Sequence, residues 1–289
     1  MNRNLIGLLF LMSFAFYGVD TKAQKIDSSF VNVELLERMF DAVNSLDYAE
    51  FEMFSKERID GELEFAHAKG VLQFTPRKVF IRGFNEEGEL LNEVLYLEGE
   101  NNNNALISPN GFPYINLSLD PKGAVMRRNR HFTILEAGGR YLVEMLAMGL
   151  AKYKAMGSFE ERFHFMGETE STIAVAIVNN DYDFTSYTVL ANENCSDVAL
   201  KLGIPDYKII EINDEVDGFE DLEKGQIIKV PTLYANRVEL ILRKHDLIPI
   251  EVRIFDENGL YSEYVYTHFN TNPVITAETF KSDNPAYTF

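Results

Sequence analysis

Tyr187-Thr188-Val189-Leu190 and Ile227-Ile228-Lys229-Val230-Pro231 bracket the stretch that decides how this chain is organised. Between them run Cys195-Ser196-Asp197-Val198-Ala199-Leu200-Lys201-Leu202-Gly203, then Ile209-Ile210-Glu211-Ile212-Asn213, then Leu222-Glu223-Lys224-Gly225-Gln226. The β-branched and aromatic residues at both ends suit short strands. Asn194 stands where an N-cap side chain accepts a hydrogen bond from an orphan helix amide. Cys195, Val198, Ala199 and Leu202 follow at helical spacing and make one apolar stripe. Gly203 supplies the left-handed residue that ends many helices. Asp206 is placed to cap a second helix that turns Ile209, Ile210 and Ile212 inward. Lys224-Gly225 is a turn, and Pro231, with no amide to donate, stops the last strand. The order is strand, helix, helix, strand.

This stretch resembles a LysM module, the small domain that binds N-acetylglucosamine-containing glycans. Its Tyr-Thr-Val opening and its Leu-x-x-Gly-Gln-x-Ile-x-Val-Pro ending carry the resemblance. Where the family usually has Gly-Asp-Thr-Leu, this chain has Asn192-Glu193-Asn194-Cys195. The resemblance implies a shallow sugar groove between the loop after the first strand and the loop before the second. It nominates Ala191, Asn192, Glu193 and Asn194 from the one, and Asn213, Asp214 and Leu222 from the other. The alternative is a module that has lost its sugar and serves as a spacer or a partner-docking surface.

Outside this stretch the chain alternates like strands. Residues 51–54, 62–65, 70–74, 78–81 and 92–97 precede it, as do 161–165, 172–178 and 183–189; residues 237–243, 248–255 and 261–269 follow. Helical spacing predicts helices over 31–46 and about 139–155. Glu257-Asn258-Gly259 predicts a hairpin turn with positive φ at both Asn258 and Gly259. Strands of one style lie on both sides of the module, which predicts an insertion between two strands of one larger β-rich domain. The expected fold class is α+β: a strongly curved antiparallel sheet with helices on its concave face, plus an inserted βααβ unit. The expected boundaries are a signal peptide over 1–23, a discontinuous host domain over 24–186 and 235–289, and the module over 187–234.

The host part resembles the LolA/LolB lipoprotein-carrier fold, and more closely a bacterial envelope family of unknown function that shares its half-barrel. Pro76-Arg77-Lys78-Val79-Phe80, Leu95-Tyr96-Leu97-Glu98-Gly99, Asn129-Arg130-His131 with Thr133 and Gly138, Tyr264 to Phe269, Thr279-Phe280 and Asn284-Pro285-Ala286-Tyr287 carry that resemblance. It implies a cavity between sheet and helices that holds acyl chains of a lipid or lipoprotein.

Residues 1–23 have a basic start, an apolar run from Leu5 to Tyr17 and a small residue at Ala23, the layout of a secretory signal peptide. A periplasmic or secreted protein is expected. The formal net charge of −18 repels nucleic acid and anionic membrane surfaces and leaves a neutral sugar unhindered. The single cysteine, Cys195, reads as a small core residue, since it has no partner for a disulfide.

Arg127, Arg128, Arg130, His131 and Arg140 form a basic cluster in this acidic chain. Guanidinium forks match phosphate or carboxylate, so Arg130 and His131 are candidates for an anion or ligand contact. Pairing with the chain's own Asp and Glu, or a structural link to the next helix, is the alternative. None of the five histidines shows a metal-ligand spacing, and no cofactor is expected. Residues 213–218 look like the start of a calcium loop, but Lys224 stands where the bidentate Glu belongs, so a solvated acidic loop is expected. No nucleophile elbow, P-loop or dinucleotide fingerprint occurs. The expected function is non-catalytic: the module on peptidoglycan, the half-barrel on an apolar ligand. The alternative is an envelope glycan hydrolase targeted by the module, with two carboxylates flanking the scissile bond.

Overall fold

A computed structural model describes residues 33–112 and 114–289; the signal-peptide segment lies outside the described residues. The chain opens with helix α1 (Val33–Asn44), which turns Leu36, Met39, Phe40 and Val43 into the core. Strands β1 (Tyr48–Ile59) and β2 (Glu62–Gln73) form a long hairpin, and β3 (Lys78–Phe84), β4 (Leu90–Leu97), β5 (Ala105–Pro109) and β6 (Leu117–Leu119) continue the meander. An irregular strap over residues 121–138 leads into helix α2 (Arg140–Met156). Strands β7 (Phe163–Glu168) and β8 (Thr172–Val178) follow. Then come β9 (Phe184–Thr188), α3 (Cys195–Leu202), α4 (Asp206–Glu211) and β10 (Ile227–Pro231). The chain closes with β11 (Arg237–Arg243), β12 (Pro249–Asp256) and β13 (Gly259–Asn270).

Eleven strands make one curved antiparallel sheet, in the order β6-β5-β4-β3-β2-β1-β13-β12-β11-β8-β7. Among the described residues, strands β9 and β10 pair only with each other. Strands β8 and β11, which precede and follow the βααβ unit in sequence, are hydrogen-bonded neighbours from Thr172–Arg243 to Val178–Arg237. The two linkers are bonded to each other as well: the Asn179 amide donates to the Asn236 carbonyl at 2.8 Å, and the Thr232 amide donates to the Asp183 carbonyl at 2.8 Å. The unit therefore stands on a two-chain stalk.

Several expectations are adjusted by particular residues. β2 is one continuous strand, where the sequence pattern breaks after residue 65. Ala66, Ala68 and Gly70 are small and not β-branched, so the pattern fades although pairing with β1 is unbroken. Their turn is Asp60-Gly61, both at positive φ (50° and 83°). At the β12–β13 turn only Gly259 takes positive φ (102°), and a register shift between Ile254 and Phe255 takes up the extra residue as a bulge. Asp206 does not cap α4; Pro205 holds that position and Asp206 begins the helix. Residues 184–188 pair with β10 and not with the large sheet. The caps of α3 follow the sequence: the Asn194 side chain accepts from the Asp197 amide, Asp197 reciprocates, and Gly203 is left-handed (φ 64°).

The unit has its own small core of Val189, Cys195, Val198, Ile204, Ile209, Ile228 and Val230. Burial pushes the Cys195 thiol up to about 12, so it sits there as a neutral apolar group. The C-terminal residues lie on the other side of the sheet, where Tyr287 stacks on Phe80 with ring centroids 3.8 Å apart.

Candidate functional site

Alternation along β1 decides which side chains face inward. Phe51, Met53, Ser55 and Glu57 all line one cavity, while Phe54 between them is exposed. The register sets Gly70 opposite Phe51, Ala68 opposite Met53 and Ala66 opposite Ser55. Small residues thus stand on the inner face of β2 where bulky ones would fill the space, and Gly83 continues the series on β3 opposite Ala68. The result is a cavity of about 480 Å³ between the sheet and the 121–138 strap. Its wall is mostly apolar, including Phe51, Ile81, Val94, Ile107, Leu142 and Ile254.

The strap is fastened on the side that faces away from the cavity. Arg127 is 4 % exposed and points away from the cavity. It makes a bidentate pair with Asp206 (2.9 and 3.1 Å) and donates to the Ser196 hydroxyl (3.2 Å). Its guanidinium lies 3.2 Å from the Phe219 ring centre. Four residues on, the His131 ring is stacked between Tyr207 (4.8 Å) and Tyr261 (4.1 Å). Its main-chain amide donates to Glu57 at 3.1 Å, and Nε2 lies 2.9 Å from the Arg58 carbonyl. Burial holds the His131 ring below its ordinary pKa. His131 is thus a rivet between strap, unit and sheet and does not line the cavity, whereas Arg128 and Arg130 do.

Glu57, Tyr264 and Glu136 on the wall are held by partners of their own. The Tyr264 hydroxyl donates to Glu57, whose other oxygen takes the His131 amide. Glu136 accepts from the Thr133 amide at 2.6 Å, and burial raises its carboxyl to about 6. Gly138 ends the strap at φ 93°, and a Cβ there would stand 2.6 Å from Leu72.

In the βααβ unit the two nominated loops do meet. Asn194 Nδ2 donates to Glu220 at 3.1 Å, and the Cys195 amide donates to the Phe219 carbonyl at 2.9 Å. Ala191, Asn192 and Asp214 are exposed. Glu193 is engaged internally by the Tyr187 hydroxyl, the Leu190 amide and Lys201. Asn213 is 5 % exposed and is spent on its own backbone: it donates to the Ile209 and Lys229 carbonyls and accepts from the Lys229 amide. Leu222 rests against the unit's core.

The unit is clamped to the host by charge. Lys208, on α4, contacts Glu211 (2.7 Å), Asp256 (2.6 Å) and Glu257 (2.8 Å). Arg58, on β1, pairs with Glu211 at 2.8 Å and with Asp256. Burial alone would raise both Asp256 and Glu211; Arg58 and Lys208 outweigh it and hold them below the ordinary carboxylate range. Beside this cluster Arg58, Asp60, Tyr207, Asp214, Asp217 and Asn258 line a polar cleft of about 590 Å³. On the other flank Lys152 of α2 donates to the Leu202 and Thr232 carbonyls (2.5 and 3.3 Å). Pairing with the chain's own acids, one of the two readings the sequence left open for the basic cluster, holds for Arg127; its partner Asp206 and the clamp at Lys208 were not found, because their partners lie on distant segments and local spacing carries no trace of them.

Among the described residues no group of three or more His, Cys, Asp or Glu is placed to hold a metal. No helix among them is long and apolar enough to cross a membrane.

No family model matches this chain, and no curated protein matches it. Among solved structures it is similar to MucB, at 11 % identity and a TM-score of 0.40, over 86 % of this chain. That match spans 62 % of MucB, less than two thirds of its length. It is also similar to lipoprotein LppX of Mycobacterium tuberculosis, at 10 % identity and a TM-score of 0.38, over 84 % of this chain and 97 % of LppX. A LolA superfamily protein from Nitrosomonas europaea is matched at 6 % identity and a TM-score of 0.33, over 88 % of this chain and 98 % of that one. Sites are grafted on folds, so what this protein binds has to be read from its own cavity.

Proposed function

We propose that this protein is a non-catalytic cell-envelope protein whose cavity holds the apolar chain of a lipid or lipoprotein. The observation that carries the reading is the cavity of about 480 Å³, hollowed by Ala66, Ala68 and Gly83 and walled by aliphatic and aromatic side chains. Small-molecule sites are concave, mostly apolar and roughly 300–1,000 Å³ in volume. An apolar wall of this kind suits a chain whose removal from water is favourable by about 25 cal/mol per Å². The signal-peptide pattern of residues 1–23 supports an envelope location.

Native mass spectrometry of the protein purified from its own host should show an adduct of lipid mass. Ala68→Leu, which fills the hollow on the inner face of β2, should remove the adduct and leave the fold intact. An adduct-free wild type, or an adduct that survives in A68L, would count against the cavity as the site.

The βααβ unit fits the second half of the reading, attachment to N-acetylglucosamine glycans of peptidoglycan. Its element order, its paired strands and its two adjacent loops support this. Of the seven nominated positions, Ala191, Asn192 and Asp214 are the exposed ones, so the sugar contact rests mainly on them. Co-sedimentation with purified peptidoglycan tests it; retention that N192A and D214A leave unchanged would sink this site. The hydrolase alternative is less well supported, because the cavity wall is apolar and both oxygens of Glu57 already accept hydrogen bonds.

A further inference from the structure

We infer that the cavity takes an anionic amphiphile tail-inward, with Arg128 and Arg130 on the rim holding its carboxylate or phosphate head. This rests on the lipid-cavity reading and adds the charge and orientation of the ligand. The chain carries 45 acidic and 27 basic residues, so a guanidinium left without a carboxylate is informative. Within the basic cluster, Arg127 is held by Asp206, and Arg140 donates to the Asn44 and Leu46 carbonyls. Arg128 and Arg130 differ: among the described residues neither forms an ion pair, and the Arg130 guanidinium donates to a main-chain carbonyl, that of Asn129, and to no carboxylate. Both line the cavity.

Exposure orders the wall from rim to floor. Arg128 is exposed and Arg130 half-buried, beside Val125 at 71 % and Leu91 at 49 % exposure. Glu57 lies at the floor with 2 % exposure, next to Ser55 at 6 %. An anionic head pushed to the floor would face the Glu57 carboxylate in a medium that screens charge poorly. At the rim the same head meets two forks whose donors match its oxygens. The local chain explains the division: Arg127 faces the βααβ unit, while Arg128 and Arg130 face the opposite side of the strap.

The test compares three ligands with the same oleoyl chain: oleate, lysophosphatidate and uncharged monooleoylglycerol. Displacement of a fluorescent fatty-acid probe reads their affinities. The two anions should bind about tenfold or more tighter than monooleoylglycerol, and high salt should shrink the margin. The double variant R128Q/R130Q should erase the margin and leave monooleoylglycerol unchanged, which also controls for folding. The two anionic arms separate a carboxylate head from a phosphate head. Equal wild-type affinity for all three ligands, or a margin that survives in the double variant, would overturn the inference and leave the cavity reading standing. Failure of all three to bind would overturn both.

Discussion

Glu136 sits on the cavity wall with one oxygen on the Thr133 amide, and burial, with a smaller push from Asp206, carries its carboxyl from the ordinary 4.5 to about 6. A folded value above the unfolded one means the native state binds the extra proton. Stability therefore falls as pH rises from about 4.5 to 6 and stays lower above that, by about 2 kcal/mol. Glu136→Gln keeps an acceptor for Thr133 and removes the charge. Denaturant unfolding should show E136Q more stable than wild type at pH 8 and equal to it at pH 4; a flat difference across that range would contradict the assignment. At this scale the sequence is legible where chemistry is local. Asn194 and Gly203 cap α3 as their residue types require. It is illegible where a neighbour is remote. Arg130 and His131 look like one motif, yet alternation on the strap sends one to the cavity and buries the other between Tyr207 and Tyr261.

The strap at residues 121–138 shows how one element serves two sites. Arg127 and His131 fasten it to α4 and β13 from one side, and the positions between and after them wall the cavity from the other. Breaking the buried Arg127–Asp206 pair from one end leaves an uncompensated charge, which costs about 3–5 kcal/mol. Arg127→Met should lower stability by that order. It should also raise amide hydrogen exchange over residues 121–138 more than over β1 and β13. Uniform exchange across the chain would show that the pair stabilises the whole fold and not the strap. β2 gives the reverse lesson about reading elements. Ala66, Ala68 and Gly70 erase the strand pattern because the two alanines make room for the cavity and Gly70 makes room for the Phe51 ring that walls it. The functional hollow and the gap in the periodicity have one cause, and a run of small residues at period two is the signal for both.

Across the whole molecule, the curved antiparallel sheet and the βααβ order follow from alternation and turn chemistry. The way the unit seats on the host does not, because it rests on Arg58, Lys208, Glu211 and Asp256 from three separate segments, β1, α4 and β12. Asp256 and Glu211 are held below their ordinary values, so their contribution is present above about pH 4–5 and is lost as pH falls through the folded values. Acidification should loosen the unit from the host before the sheet melts. Limited proteolysis as pH is lowered should cut the linkers at 179–183 or 232–236 first, and Lys208→Met should move that loosening to higher pH. Linkers that resist cleavage until the sheet itself unfolds would refute this order. The stalk has one more consequence. Its two strands leave the sheet side by side, at adjacent ladders β8 and β11. Tension applied at the unit's tip would draw both ladders lengthwise together and load their bonds to β7 and β12 in parallel. A tether built this way resists traction by sliding friction along whole strands, where a tether at a sheet edge would peel open one bond at a time.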